Sequence, residues 1–215
     1  LPQSWIDFFD RQNTCYAYRN DSNPAHSYYP TGGWNQYGYA GLDCSGYLGW
    51  TLYNTLHSES ASVSDCDGYV TPPAEFAHTL AQRAWGTLSR QDCGNGLQEP
   101  SSFRPGDIFS MDGHVWLCIG PCRDGSIVIA HSTPSSSKTD CKGGGVQLSA
   151  LNPARDADKD CQAYRLAERF MQRYPRWSAR YQVQLLPYSV YGKLSENPHT
   201  GLFQWNDFLS DKEGV

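Results

Sequence analysis

Gly41-Leu42-Asp43-Cys44-Ser45-Gly46, running into Tyr47-Leu48-Gly49-Trp50-Thr51-Leu52-Tyr53-Asn54-Thr55-Leu56, reads as a loop that turns into a helix. Asp43 is a favoured N-cap, because its carboxylate can accept the orphan N–H groups of the next residues. Cys44 is then the first helical residue. Leu48, Leu52 and Leu56 follow at steps of four and define a buried stripe that begins near the cysteine. A thiol at a helix N-terminus sits in a positive field that favours thiolate. Taken alone, Cys44 reads equally well as a small buried hydrophobe or as half of a disulfide.

Downstream lie Pro105-Gly106-Asp107, then Gly113-His114-Val115, then Ile129-Ala130-His131-Ser132. With Asp43-Cys44-Ser45-Gly46 these pieces resemble, in order and over roughly residues 4–152, the NlpC-type bacterial cell-wall cysteine peptidases. The resemblance implies a catalytic set of Cys44, His114 and His131: a nucleophile, a base, and a group that fixes the base's tautomer. It also implies that Tyr16, Asp43 and Ser45 contact the substrate's peptide stem. No cofactor is expected and no metal ligands are assigned, since no HxxxH or HExxH arrangement is present. The implied activity is that of a secreted or wall-located bacterial cysteine endopeptidase. It would cut peptidoglycan stem peptides between γ-D-glutamate and the diamino acid. Two alternatives stand beside it: an amidase of related fold that cuts the sugar–peptide bond, and a non-catalytic wall-binding module. In the last, the aromatics between Tyr28 and Tyr39 would stack on sugars.

Composition limits the field. The 215 residues carry a net charge of −5 and no run of Lys or Arg, which argues against nucleic acid as the main partner. No apolar run approaches the length of a membrane span. The chain starts Leu1-Pro2-Gln3, without Met or a basic–apolar leader, which reads as a mature or excised fragment. Eight cysteines suit an oxidising compartment. Cys66 and Cys93 bracket a helical stretch and are the first pair expected to form a disulfide.

Along the chain, residues 4–12 read as a short helix capped by Ser4. Residues 19–40 form an aromatic-rich insertion, and Pro72 to about Trp85 a helix on which Phe76, Leu80 and Ala84 repeat every four. Residues 86–105 read as a long loop. Strands are expected over 107–111, 114–119, 127–131 and 146–151, then a helix from 157 to about 173 and a strand within 182–190. Residues 201–215 show no clear pattern. Helices first and an antiparallel run of strands after them give an α+β fold. The resemblance makes it papain-like, with the cysteine helix packed on a central antiparallel sheet. The peptidase core would be 1–152, with 153–215 an extension packed on the same domain. For the two histidines to meet, a six-residue connection from Gly120 to Gly125 is expected. It would pair Ile119 with Ser126, Trp116 with Ile129, and His114 directly with His131.

Overall fold

The computed structural model describes residues 43–56, 71–133, 145–153 and 159–206. The expectations placed on Tyr16, the 4–12 helix, the 19–40 insertion and Cys66 lie outside these residues. Helix α1 is Cys44–Leu56. A 3-10 turn at Pro73–Glu75 leads into α2, Phe76–Gln82. The strands are β1 (Gly86–Ser89), β2 (Ile108–Met111), β3 (His114–Pro121), β4 (Ile127–Thr133) and β5 (Gly145–Asn152). Then come α3 (Gln162–Gln172), α4 (Pro175–Arg180), β6 (Gln184–Pro187), α5 (Tyr188–Tyr191) and β7 (Gly201–Trp205).

The α+β expectation holds. Among the described residues the strands form one seven-stranded sheet in the order β1-β7-β2-β3-β4-β5-β6. It is mixed rather than antiparallel throughout, because β6 runs parallel to β5. A parallel neighbour needs a crossover of a dozen or more residues; the segment carrying α3 and α4 supplies it. Residues beyond 152 are thus part of the sheet itself. β7, in the stretch with no legible pattern, lies between β1 and β2 and pairs with both. β1 forms where a loop was expected.

Side-chain alternation sends successive residues to opposite faces of the sheet. One face carries Ile108, Val115 and Phe203, packed against Cys44, Leu48 and Leu52 of α1 and Phe76, Ala77 and Leu80 of α2. The same face continues through Val128, Ala130, Leu148 and Ala150, covered by Ala163 and Ala167 of α3. The other face carries Phe109, Trp116, Cys118, Ile129 and Leu151, covered by Phe103, Tyr188 and Leu194. Both faces are therefore buried.

The α2 region is shorter than the leucine-like repeat suggests. Phe76 and Leu80 are buried as expected, but Ala84 is exposed and left-handed, with φ 61°. The helix stops there in a Schellman arrangement. Trp85 N–H donates to Leu80 O at 3.3 Å and Ala84 N–H to Ala81 O at 2.9 Å. Cys93 does not form the expected disulfide. It is exposed, its thiol lies 3.3 Å from Glu99 Oε2, and its turn is closed by Cys93 N–H to Leu97 O at 2.7 Å.

The β3–β4 register differs from the expected one. Leu117 pairs with Ala130 and Cys118 with Ile129, then the register shifts so that Gly120 meets Val128 and Pro121 meets Ile127. Ile119 is the bulged residue, 44% exposed. The bulge takes up one residue and lets the chain turn tightly through Arg123-Asp124-Gly125, with Gly125 at φ 83° and Cys122 N–H bonded to Ser126 O at 2.7 Å. Pro121 does not force the connection open. The 122–126 pair is hydrogen-bonded, so 121–127 is the adjacent pair in which no ladder N–H is needed. The turn also caps α3: Gln162 N–H donates to Asp124 Oδ2 at 2.7 Å and Ala163 N–H to Ser126 Oγ at 3.0 Å.

Candidate active site

α1 begins as its sequence dictates. Asp43 caps it, with Oδ1 accepting Gly46 N–H at 2.7 Å and the Ser45 hydroxyl at 3.4 Å. Asp43, Cys44 and Ser45 are all buried. The side chains expected to meet a substrate stem are engaged with each other at the helix start.

The Pro105-Gly106-Asp107 piece is a turn that locks β2 to β3. Gly106 N–H donates to Cys118 O at 2.8 Å, and Cys118 N–H to Asp107 O at 2.7 Å. Buried Asp107 accepts Arg104 N–H and Gln204 Nε2, each at 2.8 Å. This motif residue builds the scaffold beneath the site.

His114 and His131 are brought together. His114 Nε2 and His131 Nδ1 lie 2.8 Å apart. Continuing the Leu117–Ala130 register outward sets His131 opposite Trp116, so the two histidines are diagonal neighbours rather than direct partners. A diagonal across two strands spans about 7–8 Å between Cα atoms, within reach of two imidazoles on one face. A direct pairing was therefore more than the contact required.

The chain of hydrogen bonds extends one strand further. His131 Nε2 lies 2.8 Å from Ser149 Oγ on β5. Both His131 and Ser149 are fully buried. Tyr191 closes over the pair edge-on, its ring centroid 5.7 Å from His114 and 6.4 Å from His131. The Tyr191 backbone is fixed in turn by Trp116 Nε1–H, which donates to its carbonyl at 3.0 Å. Neither Ser149 nor Tyr191 was expected here. Ser149 had a signal, since Gln147 and Ser149 put polar groups at alternate positions of an otherwise apolar strand. Tyr191 had none, because it reaches the site from distant sequence.

Burial sets the charge state. It lowers the pKa of His114 to about 4, and burial together with the neighbouring His114 lowers that of His131 well below its ordinary value. Both rings are neutral at pH 7, so each carries one proton. One arrangement leaves His114 Nδ1 as a lone-pair base: His114 Nε2–H donates to His131 Nδ1, and His131 Nε2–H donates to Ser149 Oγ. In that arrangement Ser149 Oγ accepts; the reverse chain, with the Ser149 hydroxyl donating to His131 Nε2 and His131 Nδ1–H to His114 Nε2, fits the same distances and leaves the proton on His114 Nδ1.

Cys44 approaches β3 from the other side. Val115, the residue next to His114, packs in the same cluster as Cys44, while His114 turns to Tyr191. The structure assembles the histidine pair directly. Cys44, by contrast, packs with Val115 on the opposite face of the sheet, so the structure brings the two histidines together and sets the cysteine across the sheet from them. Among the described residues, Glu75, His78 and His199 form a group able to hold a metal ion, separate from the histidine pair. No described helix is long and apolar enough to cross a membrane. No family model, no curated protein and no solved structure matches the chain.

Proposed function

We propose that the protein is a papain-like cysteine endopeptidase of the bacterial cell wall, exported to act on peptidoglycan stem peptides, with Cys44 as nucleophile. The observation that carries the reading is the hydrogen bond between His114 and His131. Two histidines selected by motif alone meet at 2.8 Å in a site that keeps both neutral.

In this mechanism His114 Nδ1 takes the thiol proton as Cys44 attacks the scissile carbonyl. The developing oxyanion is held by the Cys44 backbone N–H at the α1 N-terminus. His114 then protonates the leaving amine, and water, deprotonated by the same ring, hydrolyses the thioester. His131 stabilises the imidazolium and holds its plane. In this structure Cys44 packs on the Val115 face of the sheet while His114 and His131 share the Trp116 face, so this mechanism requires the start of α1 and the start of β3 to rearrange before Cys44 Sγ meets His114 Nδ1. Asp43 and Ser45 would meet the stem at the helix start, and Tyr16 would line the pocket.

The bond proposed is the one between γ-D-glutamate and the diamino acid. Digestion of purified peptidoglycan, read by mass spectrometry, tests this. The expected product is a muropeptide ending in D-glutamate, with a fragment whose new amino terminus is the diamino acid. Release of an intact stem with an L-alanine amino terminus would instead show an amidase. No released fragment would leave the wall-binding alternative.

A further inference from the structure

We propose that Glu75, His78 and His199 form a binding site for a divalent transition-metal cation of the zinc type, apart from the proposed peptidase site. One ligand atom from each lies within 4.8 Å of the others. His199 Nδ1 is 2.5 Å from Glu75 Oε2, and His78 Nδ1 is 3.9 Å from the same oxygen. Both rings bring Nδ1 toward one carboxylate. They stack with centroids 3.9 Å apart and planes 1° from parallel, and since an imidazole lone pair lies in its ring plane, one ring turns about its side-chain torsions when both bind the ion. Two imidazoles and a carboxylate are a zinc-type donor set, and metal–ligand bonds of about 2.0–2.2 Å put tetrahedral donors roughly 3.4 Å apart. The observed spacings bracket that value, and the side chains are 29–39% exposed, with room to adjust.

The donors are held in place by the fold. Glu75 ends the 3-10 turn and His78 follows three residues on, in the first turn of α2, so both side chains lie on one face. The start of α2 is pinned to β2 by Ala77 N–H donating to Ser110 Oγ at 2.8 Å, and Ser110 pairs with Gly201 at the start of β7. That registry delivers His199 from 124 residues away. Its loop is fixed by His199 N–H to Asn197 Oδ1 at 3.0 Å and by the Arg90 guanidinium, which donates to Ser195 O at 2.6 Å and Thr200 O at 3.0 Å. The three protein ligands leave a fourth position facing solvent for water. The proposed peptidase mechanism uses none of them.

Cobalt(II) titration of the whole chain, followed by visible absorption, tests the proposal. Cobalt takes zinc's ligands and reports their type. The expected result is one saturable equivalent with weak d–d bands, lacking the intense near-ultraviolet band of thiolate ligation, and displaced by Zn²⁺. Glu75→Gln, His78→Gln and His199→Gln should each weaken affinity at least about tenfold, with the metal-free circular dichroism unchanged. No saturable band in the wild-type chain, a thiolate band, or substituted chains that bind like wild type would overturn the proposal. The cluster would then be an ion pair beside a stacked ring.

Discussion

His114 and His131 make stability depend on pH. In the folded protein the pKa of His114 is about 4, against about 6.5 for an exposed histidine. Between those values the unfolded chain binds a proton that the folded chain refuses, so stability falls as pH falls through this window. The full stabilisation is present above pH 6.5, and the loss levels off below pH 4, after at most about 3 kcal/mol from this ring. Urea unfolding of wild type and His114→Asn across this range should show the shallower slope in the substituted chain; equal slopes would place the ring in water. The role of His131 is separable from its packing. His131→Asn keeps an oxygen that can accept the His114 Nε2–H and should retain part of the activity. His131→Leu cannot, and kcat/KM should fall by about 10²–10⁴, the range of general-base catalysis. The histidines were legible because a motif marks them. Ser149 was legible only as a polar residue on a buried strand face, and nothing in the local sequence marks Tyr191.

The elements that follow local chemistry were readable, and those decided by long-range pairing were not. α1 starts at its Asp43 cap, and Leu48 and Leu52 bury as their spacing requires. β7 escaped because Gly201–Trp205 gains its place only by filling the gap between β1 and β2. The bulge at Ile119 escaped for a related reason. It is fixed by the tight turn and by the docking of Asp124 and Ser126 onto α3, not by anything in the strand. The end of α2 was misread because Ala84 fits the helical repeat but takes the left-handed C′ position that glycine ordinarily fills. Ala84→Gly should therefore stabilise the protein by about 1 kcal/mol, the cost of a non-glycine residue there. A higher urea midpoint with an unchanged slope would show it, and a lower midpoint would mean that the alanine methyl contributes packing.

At the scale of the whole molecule, the sheet joins the parts that sequence order separates. The segment after residue 152 contributes β6, β7 and the α5 tyrosine that covers the histidines, so the proposed peptidase site draws on both halves of the chain. The α+β class was legible from the order of helices and strands, whereas the mixed sheet followed from a crossover no local pattern specifies. The central claim is covalent catalysis by Cys44 on a peptidoglycan stem. Acid quenching during turnover, followed by intact-mass and peptide mapping, tests it most directly. The expected result is a mass increase equal to the acyl half of the stem, confined to the peptide carrying Cys44, and absent with hydrolysis from Cys44→Ala. Stem hydrolysis that continues in Cys44→Ala, with no adduct in the wild-type protein, would contradict it.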